Sequence, residues 1–157
     1  MLVSLPFDLE GARVLDFFAG SGSLGLEALS RGADFAVFAD HSREALTAVR
    51  RNLESIGLTN AELLRARWPQ GFQHLSAFPP FNLFFLDPPY QNRELPLQLL
   101  KETAARSLAA PGAVAVWEQS PASLDEWTEE EAVPWNLLKT RVWGSRAAAF
   151  FMYEPAQ

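Results

Sequence analysis

The hydrophobic positions of this chain switch repeatedly between two rhythms. ARVLDFFA (residues 12–19) is an apolar run closing on GSGSLG, and such a run predicts a buried strand. A helix follows through Leu24, Ala28 and Leu29 and stops at Gly32. FAVFAD (35–40) predicts a second short strand. Ser42 is placed as an N-cap with Glu44 in the first turn, and Ala45, Leu46, Val49, Leu53 and Ile56 keep helical spacing as far as Gly57. AELLRA (61–66) is a weaker third strand and FNLFFLD (81–87) a fourth. A further helix spans about 94–108 through Leu97, Leu100, Ala104 and Leu108, with Pro96 near its start, where proline is tolerated. Pro111-Gly112 then turns the chain into AVAVWE, the fifth strand. LLKTRVW and RAAAFFMY, split by Gly144-Ser145, predict a hairpin with a type II′ turn.

Strands alternating with helices imply a doubly wound α/β fold, a mostly parallel, Rossmann-like sheet ending in an antiparallel hairpin. The pattern shows no repeat, low-complexity tract or linker, so residues 1–157 are expected to form one domain. In such sheets a ligand lies at the carboxyl ends of the strands. That rule draws Asp16, the glycine loop, Asp40 and Asp87 to one rim, three acids that each close an apolar run.

Composition narrows the picture only a little. Hydrophobic residues make up 48% and charged residues 20%, with no apolar run of bilayer length, so a soluble, cytoplasmic protein off the membrane is expected. The absence of cysteine excludes disulfides and thiolate metal sites, and no metal is expected. A net charge of −6 argues mildly against a sequence-independent grip on nucleic acid, although arginines pair locally at Arg50/Arg51 and Arg65/Arg67. A monomer is expected.

Gly20-Ser21-Gly22-Ser23-Leu24-Gly25 matches G-x-G-x-x-G between a strand and a helix, where glycine allows a tight turn and close backbone approach of a ligand. Alone, the motif also fits a turn that merely packs helix on strand. Asp40, at the next strand's end, can accept from ribose hydroxyls. Asp16 separates two nucleotide classes. A carboxylate four residues before the first glycine repels a pyrophosphate at the helix start, but attracts the sulfonium and ammonium of S-adenosylmethionine.

With DPPY at 87–90, these motifs resemble the class I S-adenosylmethionine-dependent methyltransferases. The chain most closely resembles the bacterial family that methylates the exocyclic N2 of a guanine in small-subunit (16S) ribosomal RNA. The likeness runs from about residue 11 to 153 through VLDFFAGSGSLGLEALSRGA, FNLFFLDPPY, PGAVAVWEQS and TRVWGSRAAAFFMY. It implies a cofactor site of Asp16, Ala19, Gly20, Ser21, Gly22, Asp40 and His41, and ribosomal RNA or the small subunit as partner. It also assigns roles to Asp87, Pro88 and Tyr90. The lone pair of an exocyclic amine is conjugated with the base, and two acceptors on its N–H groups draw the nitrogen toward tetrahedral geometry. Asp87 supplies a carboxylate, Pro88 a carbonyl on a backbone of fixed φ, and Tyr90 a face for the base. An ordinary proline turn explains the prolines, but neither the acid nor the aromatic.

Two features depart from that family. An acid that would accept from the cofactor's adenine amine is replaced by RARWPQ, with Arg67 and Trp68. Trp68 stacks on the adenine, or a backbone carbonyl takes the role, or Trp68 is only part of the rim. A basic segment and helix expected before the first strand is represented only by MLVSLPFDLEG. The same chemistry on an adenine or cytosine amine of DNA or on a protein amide, and an inactive cofactor-binding scaffold, are the alternatives.

Overall fold

The computed structural model describes residues 5–88, 94–121 and 134–157. Strands β1 (Arg13–Phe17), β2 (Phe35–Asp40), β3 (Ala61–Arg65), β4 (Phe81–Leu86), β5 (Ala109–Gln119), β6 (Trp135–Trp143) and β7 (Arg146–Tyr153) form one sheet in the order β3-β2-β1-β4-β5-β7-β6. The first five are parallel, and β7 runs antiparallel between β5 and β6. The strand order reverses between β1 and β4, which puts the switch point beside the glycine loop.

Helices α1 (Ser23–Ser30), α2 (Arg43–Ile56) and α3 (Glu94–Ala105) cover both faces. One face packs Leu15, Phe17, Val37, Phe84 and Leu86 under Leu99 and Leu100 of α3. The other packs Val14, Ala36, Phe38, Leu83 and Phe85 under Leu26 and Leu29 of α1 and Val49 and Leu53 of α2. Strands buried on both sides need continuous apolar runs, which is why β1, β2 and β4 show so clearly in the sequence. Ser42 caps α2 by accepting from Ala45 N at 3.2 Å, and Gly57 closes that helix at φ +71°. At the hairpin, Trp143 pairs with Arg146 and Gly144 has φ +59°. Ser145 is absent from the positive-φ residues, the signature of a type II′ turn.

Three details differ from the sequence expectation. α3 ends at Ala105, before the expected 108. β5 begins at Ala109 and carries Pro111-Gly112 inside it as an irregularity, its pairing stepping from Phe81↔Ala109 to Leu83↔Val114. A 3-10 segment, Gln70–Ala77, is also present; it buries Gly71, Phe72 and Leu75 on the α3 side. Among the described residues no helix is long and apolar enough to cross a membrane.

Candidate active site at the carboxyl rim

Asp16 is buried at 2% exposure, one residue from the end of β1. Its Oδ2 accepts from Gly25 N at 3.1 Å, so β1 caps the first turn of α1 across nine residues of sequence. Burial pushes the carboxyl up to about 8; the Gly25 bond opposes this, and the carboxylates of Asp87 and Asp40 add to it. Those influences place Asp87 and Asp40 within electrostatic reach of Asp16. Desolvation outweighs the stabilising amide, which leaves a carboxyl ready to ionise when a cation arrives.

Asp40, at the end of β2, organises the loop above it. Oδ2 accepts from Gly20 N at 3.0 Å and Oδ1 from Ser42 N at 2.9 Å, and lone pairs remain on both oxygens. Ala19 N donates to Ala39 O at 3.0 Å, and Gly22 N donates to Ala19 O at 2.8 Å, closing the turn. Ser21 is exposed, and its carbonyl accepts from Asn52 Nδ2 at 3.0 Å. His41 points outward, 53% exposed, with Nδ1 3.4 Å from Asp40 Oδ1.

The glycines divide into two kinds. Gly20 has φ +55° and nothing within 4 Å of where a Cβ would stand, so backbone conformation alone requires it and the space beside it is open to a ligand. At Gly25 a Cβ would lie 2.4 Å from Phe38 Cε1 and 3.2 Å from Asp16 Oδ2. Gly25→Ala is therefore expected to lower stability by about 1–3 kcal/mol, seen as a fall in Tm of roughly 2–12 °C in thermal melts. Gly20→Ala should melt closer to the parent, since only its backbone preference is offended.

Asp87 and Pro88 follow β4 directly. Strand alternation turns Asp87 to the face of Phe85 and Asp16. Partial burial raises its carboxyl even though the residue stays exposed at the rim; Glu118 raises it further and Arg146 lowers it. Tyr90 lies outside the described residues. Arg67 is exposed, and its carbonyl accepts from Gly71 N at 2.7 Å. Trp68 is half-buried and meets Phe72 edge-on at 5.2 Å, an aromatic contact within the fold.

Three features were not singled out as site residues from sequence. Phe18 adopts φ +66° as β1 enters the loop, a left-handed backbone that a bulky residue rarely takes. Its ring packs edge-on against Phe17 at 4.8 Å. Glu118 accepts from Arg146 Nε at 2.8 Å beside Asp87. Gln119, closing β5, has a buried amide whose Nε2 and Oε1 find no hydrogen-bond partner among the described residues. Strand alternation gives no signal for these cross-strand meetings.

The model of the family described as conserved hypothetical protein 95 matches residues 3–152. Ribosomal RNA small subunit methyltransferase D of Haemophilus influenzae is 30% identical over 142 residues, covering 89% of this chain and 70% of its own length. The chain spans about half the length of the curated relatives it first matches, the aligned stretch covering 48%, 42% and 46% of each. A conserved hypothetical protein of Streptococcus pyogenes superposes with a TM-score of 0.78 at 28% identity, over 92% of this chain and 88% of that one. The structure of SMU.776 complexed with SAH gives a TM-score of 0.71 over 92% of this chain and 46% of that one; at 12% identity it shares the fold alone.

Proposed function

We propose that this chain, which belongs to the family described as conserved hypothetical protein 95, is an S-adenosylmethionine-dependent methyltransferase acting on N2 of a guanine in 16S ribosomal RNA. The observation that carries the reading is that Asp87, directly after β4, lies within electrostatic reach of Asp16, on the rim that also holds Asp40 and the open side of Gly20. The relative's name, an RNA small subunit methyltransferase, supports the choice of ribosomal RNA.

The described residues fit the cofactor. Asp16 presents a buried carboxyl to an ammonium, Asp40 keeps lone pairs for ribose hydroxyls, and Gly20 leaves room for close approach. S-adenosylmethionine, when bound, supplies a methyl group on a sulfonium. The protein's part is positional. Asp87 accepts from one N–H of the target amine and the Pro88 carbonyl from the other, holding the lone pair toward the methyl. Proline brings no competing N–H. Tyr90 is assigned the stacking face. Asp87 need not be a strong base, because methylation itself acidifies the amine.

The test is transfer of labelled methyl to 16S rRNA, assembled small subunits, DNA and protein, followed by nucleoside analysis. Label in N2-methylguanosine is the expected result. Label in N6-methyladenine, N4-methylcytosine or a protein amide would reassign the substrate, and binding of cofactor without transfer would make the chain a scaffold. Calorimetry should show heat with S-adenosylmethionine or S-adenosylhomocysteine and none with NAD; binding of NAD would overturn the reading of Asp16.

A further inference from the structure

The β6–β7 hairpin ends at the same rim as Asp87, and its register lays out a row of side chains on one face. Asp87 stands one step past the pair Leu86↔Trp117, abreast of Glu118. Glu118 pairs with Ala148, and Ala148 with Arg141. Two residues nearer the tip, Arg146 pairs with Trp143. Because Ala148 and Phe150 belong to the face that carries Asp16, strand alternation brings Arg141, Trp143 and Arg146 to that face too. The surface thus runs from the acceptor site, over a small alanine, to two arginines and a tryptophan.

Each of these side chains stands in solvent. Trp143 is 40% and the neighbouring Val142 56% exposed, on an outermost strand. Arg146 is 74% exposed and gives Nε to Glu118, which leaves its terminal nitrogens for another acceptor. Arg141 is exposed, and among the described residues no ion pair engages it. Lys139 lies on the same stripe but is engaged over the Phe150 ring at 5.3 Å. From Leu137 to Phe151 there is no acidic residue, in a chain whose net charge is −6. A cationic, aromatic, acid-free finger on an otherwise acidic protein is complementary to a polyanion with exposed bases.

We infer that the β6–β7 hairpin grips single-stranded RNA flanking the target base, Trp143 stacking on a neighbouring base while Arg141 and Arg146 meet its phosphates. The inference rests on the RNA reading above and adds where the RNA is held. Unpaired strands are the form in which proteins commonly reach individual RNA bases, because splayed bases can stack on aromatic side chains. The Glu118–Arg146 pair ties that grip to the strand next to Asp87, so a held phosphate is registered against the acceptor site.

The experiment measures binding of a 16S rRNA transcript and of assembled small subunits to the full chain over a salt series, with S-adenosylhomocysteine affinity as the control. Trp143→Ala should weaken transcript binding about 5- to 150-fold with the salt slope unchanged, and Trp143→Phe should recover most of it. Arg141→Ala should lower the slope of log K against log salt by about 0.7. A merely structural role for the tip would not separate the two signatures or permit rescue by phenylalanine. If the parent binds the transcript and these variants bind it equally well, the inference is overturned while the RNA reading stands. If the loss occurs only on assembled subunits, the hairpin docks on a ribosomal protein and the inference is again wrong. If the parent binds neither form of RNA, both readings fall.

Discussion

Replacing Asp87 with alanine is expected to abolish methyl transfer, a fall in kcat of at least about 10²–10³-fold, while S-adenosylhomocysteine affinity stays near that of the parent. The size follows from the role proposed for the carboxylate. The amine lone pair is unavailable while conjugated, and an acceptor fixed at the end of β4 acts only as the nitrogen pyramidalises. Cofactor contacts, by contrast, are assigned to Asp16, Asp40 and the loop, which β1 and β2 position without help from residue 87. Asp87→Asn should fare little better, because its amide can present a donor where two acceptors are needed. The pH dependence adds a second readout. Asp87 is raised above the ordinary carboxylate range by burial and Glu118, and held down by Arg146. The ionised form is acceptor-only and the stronger acceptor, whereas protonation turns one oxygen into a donor, so activity should fall as pH drops through that raised value. Arg146→Ala should move this acidic limb to higher pH. Single-turnover rates with labelled cofactor across the pH range check both; a Asp87→Ala variant that still turns over would end the acceptor model.

What the sequence could disclose follows from which forces act locally. β1, β2 and β4 are covered on both faces by α1, α2, α3 and the 3-10 segment, so their runs are uninterrupted and legible. The cap at Ser42 and the left-handed end at Gly57 are decided within one turn of helix, and both are visible as residue types. Gln70–Ala77 has no such local signature. Its Phe72 and Leu75 are buried by packing against distant strands, and proline on each side reads as loop. The extension of β5 back to Ala109 is likewise imposed by its partner β4 across an irregular register. At the site, the loop glycines, Asp40 and Asp87 stand out because each closes or follows a strand. Two relations depend on tertiary structure: Asp16 reaching Gly25, and Arg146 reaching Glu118 beside Asp87. Phe18 gives no warning at all, since nothing in its side chain suggests a left-handed backbone.

Asp16→Asn should produce opposite changes in stability and binding. The wild-type carboxyl is raised from 3.8 to about 8 in the folded protein. Between those values the folded state keeps a proton that the unfolded chain has released. Stability contributed by the protonated group is therefore complete below about pH 4 and declines as pH rises toward 8, flattening above it. An asparagine can accept from Gly25 N without ever having to ionise, so the variant should be more stable near neutrality, by about 1–4 kcal/mol, and should show a flatter dependence of stability on pH. Binding should move the other way. An ammonium placed against Asp16 favours the carboxylate, so cofactor affinity in the parent should rise with pH up to about 8 and one proton should leave as the cofactor enters at neutral pH. Removing the charge while leaving the shape should weaken affinity about 30- to 5,000-fold, the range for breaking one side of a buried charge pair, and should abolish both the pH dependence and the proton release. Calorimetry in buffers of differing ionisation enthalpy measures the proton directly, and melts at several pH values measure the stability. Wild-type affinity in Asp16→Asn, or an affinity in the parent that ignores pH between about 6 and 8, would show that the cofactor's positive charge lies elsewhere.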